Sequence, residues 1–339
     1  MAKDFLIGCH RLTFHARENI SIEREFELVK QAGVFDYIDW LPRPDIVDEC
    51  IRCSEKYQLP IYTGTFQYML GRDDALLELD MRNAVRCGVK VHNVMLFTHH
   101  ADGHELSDAE VVDCYLRTYD FAQKIGLTTS FEVHVLCWSE QVKRVIPVAQ
   151  AVRRAGVPFN FTLDYSHCIF KIGNPAEQEI SRIREDVKAG RVILDPFEAG
   201  NLCDEWLNEN MVLFAQLRPV SPNGPPNIWA KDEKGNFGRG IQYPFLRPKP
   251  GEFHSPWYAY RLEASKEAIR KVMRYHLTHP ESPLQYMNTE MISILDYGEN
   301  AGYSIFENNI AVARWIRATW AHYKAMQTAG VPLQPDYSA

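Results

Sequence analysis

Four short apolar stretches of the sequence lead into side chains that can donate oxygen to a metal ion, namely Glu132, Asp164, Gln216 and Glu290. The stretches are TTSFEVH at 128–134, NFTLDYSH at 160–167, MVLFAQLR at 211–218 and LQYMNTEM at 284–291. A single carboxylate after an apolar strand is usually a cap or a solvated residue. Four oxygen donors in succession, each after a β-branched or aromatic run, predict buried strand ends that converge on one site.

Three carboxylates in one pocket would repel one another and raise each other's pKa unless a cation lay between them. A divalent metal meets that need. Oxygen ligands suit a hard or intermediate ion better than the nitrogen and sulfur ligands of structural zinc sites do. We therefore predict that Glu132, Asp164, Gln216 and Glu290 bind a divalent metal, with Mn²⁺ as the expected ion and Mg²⁺ or Co²⁺ as alternatives.

Strand patterns alternate with amphipathic helical patterns along the chain, which is typical of a parallel sheet. Strands are predicted at 5–9, 35–40, 61–66, 93–98, 129–135, 159–164, 212–217 and 284–289. Helices are predicted at 22–32, 46–57, 74–86, 107–124, 140–154, from 174 onward, and at 257–277 and 308–327. Eight such units predict an α/β fold, the (β/α)8 TIM barrel; a doubly wound sheet would need a glycine-rich turn after the first strand, and none follows Cys9.

One connection is out of scale with the others. The 38 residues at 219–256 include eight prolines, whereas loops in β-α units usually have about 2 to 6 residues. We predict a single barrel domain at 1–330, with 219–256 as a lid, a substrate wall or a partner surface and 331–339 as a C-terminal tail. An inert insertion is the alternative for the long loop.

The composition limits the partners and the compartment. With 46% apolar and 24% charged residues the chain is typical of a soluble globular protein. Its net charge of −7 without a basic block argues against nucleic acid. The N-terminal FLIGC run is too short for a signal peptide or a membrane span, and the eight scattered cysteines suit a reducing compartment. A cytoplasmic protein without a membrane partner is expected.

The order of these strand-end residues, with His167 three residues after Asp164, resembles the xylose isomerase-like barrels, which include ketose 3-epimerases, inosose dehydratases and related sugar isomerases. The resemblance covers residues 5 to about 327. It implies that Glu132, Asp164 and Glu290 are metal ligands and that His167 contacts a substrate oxygen. Most of these families place a metal-binding histidine where this chain has Gln216, which leaves the identity and affinity of the metal open.

The resemblance implies an isomerase or epimerase that removes a proton next to a carbonyl, with a metal-stabilised enediolate. The bases would be Glu132 and Glu290, acting from opposite faces of the sugar. His10 and Arg218 open on the same face of the barrel and are assigned to substrate binding. Each has a plainer alternative, because His10 could simply pack and Arg218 could simply neutralise the carboxylates.

A second resemblance rests on Glu132-Val-His134 followed by Trp138-Ser-Glu140, together with the long seventh loop. These features are similar to the larger subunit of the C-glycoside deglycosidases, lyases that cleave a carbon-carbon glycosidic bond in a 3-oxo sugar and need a small second subunit. There His134 would be the base. His134 and His167 complete the predicted catalytic set, although a core role for His134 and a loop role for His167 are the alternatives.

Two further classes share this fold. Abasic-site endonucleases use more histidine ligands, several zinc ions and a basic groove, so the acidic charge argues against them. A metal-free binding or assembly protein is the alternative outside catalysis. The expected partners are a small sugar or glycoside substrate and either further copies of this chain or a small second subunit.

Overall fold

The computed structural model describes residues 3–333, which form a closed barrel of eight parallel strands in the order β1 to β8. Each strand pairs with the next along the chain, and β8 pairs with β1. The (β/α)8 barrel predicted from the sequence is confirmed. The strands are β1 Leu6–His10, β2 Tyr37–Asp39, β3 Ile61–Tyr68, β4 Val91–Leu96, β5 Thr128–Glu132, β6 Phe161–Asp164, β7 Val212–Leu217 and β8 Tyr286–Thr289.

Helices cover the outside of the barrel and bury one apolar face each. In the first helix Phe26 and Val29 are buried, Ser21 caps the start, and Gly33, at a φ of 67°, ends it. The α-helices are α1 Ile22–Ala32, α2 Val47–Tyr57, α3 Asp74–Arg86, α4 Asp108–Lys124, α5 Val145–Arg154, α6 Ser166–Ile169, α7 Pro175–Ile180, α8 Arg184–Lys188, α9 Leu202–Asn208, α10 Glu263–Thr278, α11 Leu295–Gly298 and α12 Ile305–Thr328.

The interior of the barrel changes from apolar to polar along the strands. At the amino ends, the rings of Tyr37, Tyr62 and Tyr286 pack against one another, with centroids 5.5 to 6.2 Å apart. A side chain at Gly8 would collide with the Tyr37 ring, so this close approach requires glycine. One layer higher, the hydroxyls of two strands, Ser130 and Thr162, share a hydrogen bond of 2.7 Å. The carboxyl ends of the strands then carry the ionisable groups.

Several predicted boundaries are wrong. Strand β5 ends at Glu132, so His134 lies in the following loop and not on the strand as predicted. The helix predicted from residue 140 begins at Val145, because Pro147 lacks an N–H and is tolerated only in the first turn. The helix predicted from 257 begins at Glu263. The connection between β6 and β7 contains four short helices where one was predicted.

The long loop after β7 is held near its middle by contacts to two separate parts of the chain. Arg239 donates to the carboxylates of Glu140 at 3.2 Å and Glu177 at 3.1 Å, and the backbone N–H of Gly240 donates to Asp296. Gly238 and Arg239 line the central cavity, so part of the loop forms a wall of that cavity.

The predicted tail lies, from residue 334 on, outside the described residues. None of the helices within residues 3–333 is long and apolar enough for a membrane crossing.

Candidate active site

A cavity of about 460 Å³ opens at the carboxyl ends of the strands. The sequence-predicted residues that line it are His10, Glu132, His134, Gln216, Arg218 and Glu290. Asp164 and His167 lie beneath this lining, and only 0% and 3% of their surfaces are exposed. The side chains predicted from four separate strand ends therefore converge on one region. Larger clefts occur between the outer helices, and one of them is lined by the ion pair of Arg274 and Glu267.

Each of the three predicted carboxylate ligands is fixed through one oxygen by a neutral donor. The side-chain amide of Asn93 donates to Oε2 of Glu132. The backbone N–H of Ser166 donates to Oδ1 of Asp164 at 3.1 Å, and the amide of Asn288 donates to Oε2 of Glu290 at 3.0 Å. Such partners set the orientation of a metal ligand.

The second oxygens of Asp164 and Glu290 are not held by neutral donors but contact the guanidinium of Arg218. Gln216 pairs in register with Asp164 on the neighbouring strand, and its Oε1 atom is buried and has no hydrogen-bond partner among the described residues. A buried acceptor without a donor is costly, and a bound cation would remove that cost. In the chemistry of its donors, this set of three carboxylates and one free amide oxygen fits a hard or intermediate divalent ion.

Arg218 already supplies one positive charge to this region. Its Nε and Nη2 atoms each lie 3.3 Å from Oδ2 of Asp164, and Nη2 lies 3.5 Å from Oε1 of Glu290. Its guanidinium carbon lies 4.1 Å from the centre of the Tyr297 ring, a cation-π contact. The arginine is buried, with 3% of its surface exposed, so its charge acts in a region of low dielectric.

The tautomer of His134 follows from its two hydrogen bonds. Nδ1 lies 2.7 Å from the carbonyl of Val135, which can only accept, so Nδ1 carries the proton. Nε2 then accepts from the hydroxyl of Tyr297 at 3.2 Å. Burial, together with the neighbouring His167, holds the pKa of His134 well below its ordinary range. His134 is therefore neutral, and the lone pair of its Nε2 atom accepts from a tyrosine hydroxyl.

A strained turn positions His134. Leu136 has a φ of 68°, a left-handed conformation that is rare for leucine, and its side chain is 58% exposed. Its backbone N–H donates to Glu140 at 2.7 Å and its carbonyl accepts from the N–H of Thr98 at 3.0 Å. The hydroxyl of Ser139 donates to the carbonyl of Glu132 at 2.6 Å, which ties the loop to the end of β5.

His167 lies between the predicted metal ligands and His134. Its Nε2 atom is 3.3 Å from Oδ2 of Asp164, without the alignment of a hydrogen bond. Its ring centre is 4.1 Å from that of His134. Burial alone would raise the pKa of Asp164, but His167 and Arg218 outweigh burial and hold the pKa below its ordinary value.

Two compact groups of possible metal-binding side chains lie at this site. His10, Asp39 and Glu290 offer ligand atoms within 4.8 Å of one another, and so do Glu132, His134 and His167. The Nδ1 atom of His10 accepts from the N–H of Leu12 at 3.0 Å, so Nε2 is the atom that faces Glu290 at 3.8 Å. The predicted ligands are thus divided, because Glu132 belongs to one group, Glu290 to the other and Asp164 to neither.

Burial raises the pKa of two predicted bases. The pKa of Glu290 rises to about 7 through burial, although Arg218 opposes the rise. The pKa of Glu132 rises well above its ordinary value through burial, reinforced by Asp164 and Glu290. The carboxyl group of Glu290 is therefore able to hold a proton near neutral pH when no metal is bound, which suits a group that takes and returns one.

Sequence reasoning missed Asp39, Asn93 and Tyr297, and did not assign Asn288 a role. Asp39 ends β2 and was detectable by the same strand-end rule, but the predicted strand ran past it to residue 40. Tyr297 lies in the short helix α11, where no periodic pattern points to a site. His99 and His100, which follow β4, do not line this cavity.

Solved structures similar to this chain are barrels of the same kind. A D-allulose 3-epimerase from Methylomonas sp. is 13% identical, with a TM-score of 0.56 over 94% of this chain and 100% of its own. The IOLI protein with a bound zinc atom is 13% identical, with a TM-score of 0.56 over 94% and 99%. A xylose isomerase-like TIM barrel protein from Mycobacterium smegmatis, in complex with magnesium, is 12% identical, with a TM-score of 0.52 over 93% and 98%.

At these identities the likeness shows the fold alone, and that fold is the (β/α)8 barrel predicted from the sequence. No protein-family model matches the sequence, and no curated protein is significantly similar to it. The roles of the individual site residues and the likeness to C-glycoside deglycosidases stay predictions.

Proposed function

We propose that this protein is a metal-dependent enzyme of the sugar isomerase or epimerase type, which removes a proton next to a carbonyl of a sugar or cyclic polyol. The observation that carries the proposal is a set of three buried carboxylates, each with one oxygen held by Asn93, Ser166 or Asn288, together with the unpartnered amide oxygen of Gln216. The similarity in fold to a D-allulose 3-epimerase supports it.

Glu132, Asp164, Gln216 and Glu290 would hold the metal. When bound, a divalent ion would act as a Lewis acid that stabilises negative charge on the substrate oxygens. Mn²⁺ is the expected ion, and zinc and magnesium occur in two proteins of similar fold. The metal-free protein should bind the ion only with these carboxylates deprotonated.

Glu132 and Glu290 are the proposed bases. Glu132 ends strand five and Glu290 follows strand eight, three strands away in a barrel of eight, so the two would reach a substrate from different sides. One carboxylate takes the proton from the C–H bond, and the other carboxyl group returns a proton to the same carbon from the opposite face. His10 and His167 would orient the sugar hydroxyls, and the walls of the cavity would exclude water.

The experiment combines metal analysis with solvent exchange. The purified protein is stripped with a chelator, reloaded with Mn²⁺, and incubated with a panel of ketoses in D₂O. Incorporation of deuterium at the carbon next to the carbonyl, dependent on metal, is the expected result. Glu290→Gln and Asp164→Asn should lose both the metal and the exchange, whereas Glu177→Gln, outside the cavity, should keep both. Wild-type protein that binds no metal and exchanges no proton would favour a binding or assembly protein.

A lyase acting on a 3-oxo glycoside is the second candidate. It is favoured by the neutral His134, whose Nε2 lone pair faces the hydroxyl of Tyr297. His134 would take a proton from the substrate, and Tyr297 would give one to the leaving group. His134→Gln separates the two candidates: it should abolish turnover of a glycoside but reduce exchange with a free ketose by less than about tenfold. A small second subunit, further copies of the chain and a cytoplasmic location remain predictions.

A further inference from the structure

Arg218 contacts the carboxylate oxygens that the proposed metal would need. Its contacts are to Oδ2 of Asp164 and Oε1 of Glu290. The other oxygen of each carboxylate is the one held by Ser166 or Asn288. The guanidinium and a divalent ion would therefore use the same ligand atoms.

We propose that Arg218 is a tethered counter-cation, which stabilises the metal-free site and weakens divalent metal binding. The metal would then be an exchangeable cofactor and not a permanently bound one. This inference rests on the metal site of the proposed function.

Two features make the guanidinium a replaceable partner of the carboxylates. Its contacts of 3.3 to 3.5 Å are longer than the 2.7 to 2.9 Å usual for charge-assisted hydrogen bonds. Its position also depends on the Tyr297 ring, 4.1 Å away, and Nη1 has no hydrogen-bond partner among the described residues. The ring would keep the arginine in the cavity wall when a metal takes the carboxylates, since that contact does not involve them.

The charges show why the arginine should oppose the metal without replacing it. Glu132, Asp164 and Glu290, when ionised, carry three negative charges and Arg218 carries one positive charge, all in a buried region. The remaining negative charge still attracts a divalent ion. A fixed positive charge a few ångströms away from that ion nevertheless lowers its affinity, on the order of tenfold or more where the dielectric is low.

The test compares Mn²⁺ binding to chelator-treated wild type, Arg218→Met and Arg218→Lys, by calorimetric titration and by the spin-resonance signal of free Mn²⁺. Arg11→Met is the matched control. Arg11 pairs with Glu25 and stacks over Trp40 at the cavity mouth, 3.9 Å from the ring centre, so its loss removes one charge without freeing a ligand oxygen. Thermal unfolding is measured for every protein with and without Mn²⁺.

We expect Arg218→Met to bind Mn²⁺ at least about tenfold more tightly than wild type and to unfold at a lower temperature without metal. Added Mn²⁺ should raise its unfolding temperature by more than it raises that of wild type. Arg218→Lys, which keeps the charge, should stay within about threefold of wild type, and Arg11→Met should match wild type. If Arg218→Met does not fold, Arg218→Gln, which can still donate to Asp164, takes its place with the same expected gain.

Each other outcome counts against the inference. Equal or weaker Mn²⁺ binding by the neutral variants, with binding retained in wild type, overturns this inference and leaves the proposed function intact. An equal gain in Arg11→Met would mean that any nearby charge has the effect, which also overturns it. No binding at millimolar Mn²⁺ in any of these proteins overturns both this inference and the metal site.

Discussion

Asp39 and Glu290 are joined through a single side-chain amide, because Nδ2 of Asn288 donates to Oδ2 of Asp39 at 2.7 Å and to Oε2 of Glu290 at 3.0 Å. All three side chains are buried at the carboxyl ends of strands on either side of β1. The amide fixes the oxygen of Glu290 that would not bind metal. Orientation of this proposed ligand therefore depends on a residue that is not itself in the ligand set.

Asn288→Ala should lower metal affinity by about 10- to 100-fold, since it frees Glu290 to rotate. The loss of two buried hydrogen bonds to charged groups should also cost about 3 kcal/mol in the free energy of unfolding. Titration with Mn²⁺ and urea unfolding measure the two effects. Asn201→Ala, at the buried cap of α9, controls for stability alone; a similar loss of metal affinity there would contradict the assignment.

Gln216→His should change the metal preference. A histidine nitrogen is a better ligand for zinc than an amide oxygen is, whereas Mg²⁺ favours oxygen. We expect Zn²⁺ affinity to rise at least about tenfold relative to Mg²⁺, as measured by competition against bound Mn²⁺. Gln216→Leu, which offers no donor, should weaken binding of every ion. An unchanged selectivity in the histidine variant would show that residue 216 does not reach the metal.

Glu140 makes a pH-dependent contribution to stability. Burial would raise its pKa, but Arg239 and Lys171 outweigh burial and lower the pKa from the ordinary 4.5 to about 2. A lowered carboxyl pKa stabilises the fold above the unfolded value and loses that effect as pH falls from about 4.5 to 2. Glu140→Gln should therefore be less stable than wild type by roughly 3 kcal/mol at pH 7. This difference in stability should shrink as pH falls.

Urea unfolding at several pH values between 7 and 2.5 measures how the stability difference between wild type and Glu140→Gln depends on pH. Glu177→Gln is the control, because it removes one partner of Arg239 but keeps the buried pair of Lys171 and Glu140. That control should cost less at pH 7. A difference between wild type and Glu140→Gln that stays constant down to pH 2.5 would rule out the assigned shift.

Arg239→Met should loosen the long loop, since Arg239 joins 219–256 to the carboxylates of Glu140 and Glu177. We expect a protease added under native conditions to cleave the chain within 219–256 several-fold faster than in wild type. Mass spectrometry of the fragments measures the rate and the position of cleavage. Arg247→Met, at an exposed position in the same loop, is the matched control. Equal cleavage rates in the two variants would mean that this ion-pair group does not hold the loop.

Much of the fold was predictable because the signals are local. Apolar runs alternating with amphipathic helices gave eight β-α units, and parallel strands of a barrel bring all their carboxyl ends to one face. Glu132, Asp164, Gln216 and Glu290 were therefore expected to meet. Boundaries were less certain where a single residue decides them, as Pro147 does for the start of α5.

The apolar runs and strand-end side chains of the sequence are enough to predict the barrel, the side of it that carries chemistry, and an acidic set of oxygen donors in chain order. The surroundings of those donors are visible only in the folded protein. Asn288 joins Asp39 to Glu290, Arg218 lies against the carboxylates, and Tyr297 contacts both Arg218 and His134. These contacts join residues far apart in the chain, and packing in three dimensions sets their distances, whereas periodicity along a strand specifies only which face a side chain occupies.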